Sequence, residues 1–189
     1  SSAASDVYKR QSYTRDQLVV SGKLDGELIH LIVNHWPSRG ADETKRIAAA
    51  EVNNSIIDSL RGIYKKPKII TMGDFNDDPF DKSIKKILGA KKEINDVGKN
   101  DLYNPFEKIL VEQGIGTNAY RDKWQLFDQI ILSKEFLKKD YSDYQLYKAG
   151  VFNKSYLINN KGKFKGYPYR SFSYAVSYTH LRAHETKAN

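Results

Sequence analysis

Residues 68–79 constrain this chain most: Lys68-Ile69-Ile70-Thr71-Met72 reads as a short apolar strand, and it ends abruptly in Gly73-Asp74-Phe75-Asn76-Asp77-Asp78-Pro79. Such a strand needs cover on both faces, so it belongs between layers. The carboxylates and amide that follow must then project from a rigid strand end into a cleft or a turn. Gly73 lets another group approach the backbone closely. A strand followed by an ordinary Asx-type turn produces the same local pattern, so this segment alone leaves both readings open.

Two further strand ends share the property. Leu28-Ile29-His30-Leu31-Ile32-Val33 leads into Asn34-His35-Trp36-Pro37-Ser38-Arg39, placing His35 where strand gives way to loop. Leu126-Phe127-Asp128-Gln129-Ile130-Ile131-Leu132-Ser133 contains one acid in an apolar run, and burial of Asp128 is costly unless it is paired. Between these landmarks, Asp25-Gly26 is a type I′ hairpin signal joining strands at 17–20 and 28–33. Glu43 to about Leu60 has the spacing of an amphipathic helix with Ala49, Val52, Ile56 and Leu60 on one face, closed by Gly62 and Pro67. Asp81 is placed to cap a short helix running to Leu88, and Pro105 to begin another running to about Val111. Strands are expected at 124–133 and 144–152, with a charged helical turn over 134–141 between them and a basic loop over 160–170. The class is α/β, with no internal repeat.

Taken in order, N-H-W-P-S-R at 34–39, the alanine-rich helix, G-D-F-N-D-D-P at 73–79, G-T-N-A-Y-R at 116–121 and F-D-Q-I-I-L-S at 127–133 resemble the endonuclease/exonuclease/phosphatase superfamily. That superfamily includes deoxyribonuclease I, apurinic endonucleases, neutral sphingomyelinases and inositol polyphosphate 5-phosphatases. The resemblance runs from about Tyr13 to about Tyr174. It implies a four-layer α/β sandwich, with two mostly antiparallel sheets packed face to face, helices outside, and the active site at one open end of the strands. It also implies hydrolysis of phosphate esters assisted by Mg²⁺, with Mn²⁺ or Ca²⁺ as alternatives.

Three parts of the family pattern are missing: an early strand ending in Asn, a metal-binding Glu on a following strand, and a closing Ser-Asp-His. The expected domain is therefore a partial one over 12–176, truncated at both ends. Residues 1–11 and 177–189 read as translated adaptor or vector sequence, a divergent native tail being the alternative for the latter. At 189 residues with 40% apolar content the chain suits one domain with a real core. No apolar run approaches the ~20 residues needed to cross a bilayer. Zero cysteines exclude disulfides and thiolate metal sites and leave the compartment open.

The formal charge of +8 includes +1 from each end segment, leaving +6 in the middle. Such an excess favours anionic partners, nucleic acid first, although scattered lysines also make an ordinary solvated surface. A monomer is expected.

By the resemblance, Asp74 orients and deprotonates the attacking water and reaches the metal through water. Asn76 bonds that water or the phosphate and helps fix Asp74, and His35 donates to a phosphate oxygen or protonates the leaving group. Asp128 would hold the ring of the family's terminal His. Arg39 ranks first among candidate phosphate contacts, ahead of Arg46 and Arg121, because a guanidinium matches phosphate in bidentate fashion. Tyr120, Trp36 and Trp124 could stack on bases or pack in the core or rim. Asp77 and Asp78 could bind metal through water or form a plain turn. His180, His184 and Glu185 have zinc-like spacing but no third ligand at recognisable distance.

The leading expectation is a metal-dependent nuclease, with turnover by the chain as written expected to be low. The alternatives are a sphingomyelinase or inositol-phosphate phosphatase of the same superfamily, and a non-catalytic nucleic-acid-binding domain.

Overall fold

A computed structural model describes residues 15–169. The expected ends 1–11 and 177–189, with His180, His184 and Glu185, lie outside the described residues. Asp25 and Gly26 both take positive φ, 47° and 88°, as a type I′ turn requires. They join β1 (Leu18–Leu24) to β2 (Glu27–His35) in an antiparallel ladder from Leu24↔Glu27 to Leu18↔Val33. The chain then rises through α1 (Glu43–Ile63) and returns as β3 (Lys68–Asp74), parallel to β2. That is the crossover helix a parallel pair needs.

The sheet is completed by β4 (Ala90–Lys91), β5 (Leu102–Tyr103) and β8 (Asp128–Ser133), in the order β1-β2-β3-β8-β5-β4. Three of its five pairings are antiparallel. Between β5 and β8 lie α2 (Phe106–Gln113) and a two-stranded ribbon of β6 (Asn118–Tyr120) and β7 (Lys123–Gln125). Gly114, at φ 66°, ends α2 in the left-handed cap geometry.

One face of the large sheet packs against α1. Ile32, Ile69 and Ile131 from the three central strands meet Ala49, Ala50 and Ile57 of the helix, all within 1% of complete burial. A second cluster joins Phe106, Ile109, Leu110 and Leu126. The other sheet face, bearing Val20 and Ile130, is more open.

Several elements differ from the sequence reading. α1 extends to Ile63, and its buried stripe is Arg46, Ala49, Ala50, Asn53, Ile57 and Leu60, while Val52 is exposed. The helix is rotated because Arg46 and Asn53 turn inward to bond strand-end groups. The expected strand over 124–133 is two strands, since at Leu126 the backbone N–H leaves the ribbon ladder and donates to Asp78 Oδ1 at 2.7 Å. Residues 144–152 form no strand. There Tyr144 N–H donates to Glu27 Oε1 and its carbonyl accepts from Lys68 Nζ, so side chains take the groups a ladder would use. The turn after Asp81 is a single wide π-type turn, Ser83–Ile87.

His30 lies wholly buried on the α1 side of β2, its Nδ1 2.7 Å from Ser21 Oγ and its ring packed on Tyr64. Burial pushes its pKa below the ordinary 6.5. Below that value the unfolded histidine binds more protons than the folded one, so stability falls as pH drops through 6.5, by at most about 1.4 kcal/mol per pH unit. In His30→Gln this part of the slope should vanish. Urea unfolding between pH 5 and 7.5 measures it, and equal slopes in both proteins would contradict the assignment.

Candidate functional site

Strand register assembles the site. His35 ends β2 directly beside Asp74 of β3, and Asp74 stands opposite Asp128 of β8. Paired residues on neighbouring strands share a face, so the three side chains emerge together on the sheet face away from α1. His35 Nε2 lies 3.7 Å from Asp74 Oδ2. The imidazole is 57% exposed and the Asp74 side chain 11%, so a ligand can reach the ring while the carboxylate stays mostly desolvated.

Beyond the strands, two backbone bonds prolong the ladders, Trp36 N–H to the Asp74 carbonyl at 2.8 Å and Phe75 N–H to the Phe127 carbonyl at 2.9 Å. Asn76 is left-handed at φ 51°, a conformation asparagine tolerates. Its backbone N–H donates to Asp74 Oδ1 at 2.9 Å, and its side-chain Nδ2 donates to the Trp36 carbonyl at 2.9 Å. The turn thus fixes Asp74 from one side and is itself pinned to the loop that follows His35. Trp36 is fully buried, edge-on to Phe75, with Nε1 donating to Asn34 Oδ1. Of the two readings left open for Trp36, the structure shows core packing.

The strand ends are locked beneath by a buried polar cluster. Asn34 Nδ2 donates to Thr71 Oγ1 at 2.8 Å, and Asn53 of α1 donates to Asn34 Oδ1 at 2.9 Å. Gly73 is essential to this closeness: at φ 131°, a Cβ there would sit 2.1 Å from the Asn34 carbonyl oxygen.

Arginines hold the loops. Arg46 Nε donates to Asp77 Oδ1 at 2.7 Å, while its Nη1 donates to the Ser38 and Ala41 carbonyls. Asp77 also accepts from Ser83 Oγ at 2.6 Å. Arg39 donates to the Asn76 carbonyl, to Asp78 Oδ2 at 3.1 Å and to Asp81, with its guanidinium 4.6 Å from the Phe127 ring centre. Gln129 ties in β8 by donating to the Asp77 and Leu126 carbonyls. Burial pushes the Asp77 and Asp78 carboxyls above the usual range, opposed for Asp77 by the Ser83 hydroxyl and Arg46, and for Asp78 by the Leu126 N–H and Arg39.

Asp77 and Asp78 are only 2% and 5% exposed, so both face arginines rather than a hydrated metal. Tyr120 and Arg121 sit apart, at the tip of the β6-β7 ribbon. Tyr120 is exposed, and the Arg121 guanidinium lies 5.1 Å from its ring centre. Trp124, on the same ribbon, meets Tyr167 edge-on.

Among the described residues no group of three or more His, Asp or Glu side chains forms a metal-ligand cluster. Asp74 offers hard carboxylate oxygen, the donor type Mg²⁺ takes, and Mg²⁺ often holds only one or two protein carboxylates together with water.

The sequence reading did not single out Asn34, Asn53 or Gln129. An asparagine on a helix ordinarily marks the solvent side, and only the tertiary fold reveals that Asn53 faces two strand ends. Asn34 carried a local signal, a polar residue near the end of an apolar strand, beside His35.

The sequence pattern of the endonuclease/exonuclease/phosphatase family matches residues 1–184, and the chain belongs to that family. No curated protein matches it in sequence. Solved structures similar to it include the catalytic domain of human nocturnin with bound sulfate, at 20% identity and TM-score 0.41, covering 64% of this chain and 42% of that one. Truncated TDP2 of Caenorhabditis elegans matches at 10% identity and TM-score 0.40, covering 64% and 53%. A β-hairpin deletion mutant of beta toxin from Staphylococcus aureus matches at 18% identity and TM-score 0.45, covering 82% and 55%. The chain spans about half the length of these structures.

Removing Arg46 leaves Asp77 charged and buried without its main partner. Arg46→Met should cost about 3–5 kcal/mol in urea unfolding, and Arg46→Met combined with Asp77→Leu should recover most of that loss. A single-variant cost below about 1 kcal/mol would mean the pair does not hold the loop.

Proposed function

We propose that this member of the family hydrolyses phosphodiester bonds of nucleic acid at the edge formed by β2, β3 and β8. The observation that supports this most is the 3.7 Å approach of His35 Nε2 to Asp74 Oδ2 at two adjacent strand ends, with Asp128 on the third. Hydrolysis needs an oriented nucleophile, relief of charge growing on the phosphate oxygens, and a donor for the departing oxygen.

Asp74 is held by the Asn76 N–H through Oδ1, and Oδ2, 3.7 Å from His35 Nε2, is the oxygen assigned to take a proton from the attacking water. His35, on the exposed rim beside it, donates to a non-bridging oxygen or to the leaving group. Asn76 serves by fixing the carboxylate, its side-chain amide being engaged by the Trp36 carbonyl. Asp128, paired with Asp74 across the β3-β8 ladder, sets a second carboxylate at the same edge. Asp74 would be the residue to hold a hydrated Mg²⁺, and the ion when bound would supply neutralisation of charge on the phosphate.

Arg39 has three carboxylates around it, so its share in phosphate binding rests on the part of the guanidinium left toward solvent. Tyr120 and Arg121 on the ribbon tip suit contact with a longer substrate farther from the scissile bond. The choice of nucleic acid over small phosphate esters rests on the +8 charge.

Plasmid DNA, single-stranded RNA, sphingomyelin and inositol phosphates should be assayed with Mg²⁺, Mn²⁺, Ca²⁺ or EDTA. Slow, divalent-dependent cutting of nucleic acid is expected, reduced about a hundredfold or more in Asp74→Ala. Release of phosphate or phosphocholine without nucleic-acid cutting would overturn the substrate class. Undiminished hydrolysis in Asp74→Ala would overturn the role of that carboxylate, and salt-sensitive DNA binding that survives the substitution with no cleavage under any ion would point to a binding domain.

A further inference from the structure

At the opposite end of the sheet from His35 and Asp74 lies a cavity of about 830 Å³. Three connections converge there: the exit of α1 at 64–67, the stretch 94–100 before β5, and the turn after β8 at 134–138. The seven residues of β3 separate it from Asp74 by about 20 Å.

Its wall bears Arg61, Lys65, Lys66, Lys99, Lys134 and Lys138 against a single acid, Glu135. Arg61 faces Asp58 at 3.7 Å and Lys138 pairs with Asp143 at 2.8 Å. Among the described residues Lys65, Lys66, Lys99 and Lys134 enter no ion pair. All four are exposed, whereas the buried Lys68 is matched by Glu27 and Asp143 and the half-buried Lys108 by Glu93. Four unmatched ammonium groups around one hollow repel one another, and an anion placed among them relieves that repulsion.

The floor is not polar. Pro67 and Val97 are buried, and Tyr64 presents a ring that is 36% exposed and steadied from behind by His30. A volume within the ~300–1,000 Å³ of small-molecule sites, with an aromatic surface beside several cations, suits a ligand that joins a flat ring to phosphate. Bare phosphate would leave the apolar floor unused.

We propose that this cavity is a second anion site that takes a nucleotide unit, its phosphates among Lys65, Lys66, Lys99 and Lys134 and its base against Tyr64. The unit comes either as a free nucleotide or as part of a nucleic-acid strand that extends past the sheet edge. The site is separate from the proposed catalytic edge and does not depend on it.

Binding of ADP by calorimetry, and of fluorescein-labelled dT10 by anisotropy, should be measured in EDTA for the wild-type chain, Lys65→Glu/Lys99→Glu/Lys134→Glu, the matching triple Gln variant, Tyr64→Leu and Asp74→Ala. Both triple variants should bind at least tenfold more weakly while Asp74→Ala binds as wild type does at this site. For dT10, the slope of log affinity against log salt should fall by about two, at ~0.7 per lysine removed. Loss of both ligands in the triples identifies a free-nucleotide site, and loss of dT10 alone, with no ADP binding, identifies a strand site. Inorganic triphosphate tests the base: Tyr64→Leu should weaken ADP or dT10 but not triphosphate. Failure of both ADP and dT10 to bind, a loss under fivefold in a folded triple variant, or unchanged ADP and dT10 affinity in Tyr64→Leu would each overturn the proposal.

Discussion

The side-chain amide of Asn34 governs where everything at the candidate site stands. It joins β2 to Thr71 of β3 and, through Asn53, to α1, and its oxygen also accepts from the Trp36 indole. These groups are buried, so each bond left unmade would cost about 1–3 kcal/mol, and only one register satisfies them together. Since side chains alternate along a strand, a slip of one residue would turn His35 to the opposite face from Asp74. Gly73 permits the approach by having no Cβ to strike the Asn34 carbonyl. The catalytic proposal thus depends on a polar lock one residue behind the catalytic groups.

A second layer of charge stiffens the loops that leave those strand ends. Arg46 reaches from α1 and Arg39 from the His35 loop, and together they hold Asp77, Asp78 and Asp81. Buried pairs of this kind add little net stability compared with apolar packing, but they admit few geometries. They also account for where the positive charge of the chain is free. Around Asp74 the arginines are matched by carboxylates, whereas Lys65, Lys66, Lys99 and Lys134, which enter no ion pair among the described residues, line one cavity at the far end of β3. Part of the basic excess read from composition therefore lies away from His35 and Asp74.

The places of His35 and Asp74 at strand ends were legible because strand termination is a local event: an apolar run stops, and the polar residue that stops it has few places to go, whereas Asp128, read as an acid inside an apolar run, opens β8. The Asp25-Gly26 hairpin was legible for the same reason, since left-handed backbone leaves a residue signature. The phase of α1 was not. Arg46 and Asn53 interrupt the apolar stripe, and their inward turn is decided by groups 31 and 18 residues away in sequence. Asp77 and Asp78 read as turn residues because nothing near them in sequence announces the two arginines. The stretch 144–152 alternates like a strand, yet Tyr147 is 90% exposed and the Tyr144 backbone bonds the side chains of Glu27 in β2 and Lys68 in β3 instead. Local pattern identified the strand ends, and long-range polar bonding decided their surroundings.

The account stands on His35 and Asp74 working on one phosphate as a unit. A double-mutant cycle on nucleic-acid hydrolysis, comparing His35→Ala, Asp74→Ala and the pair, tests that most directly. The prediction is that the double variant is no more than about threefold slower than the slower single one. Losses that multiply across the cycle would show that the two residues act independently and would contradict the shared site.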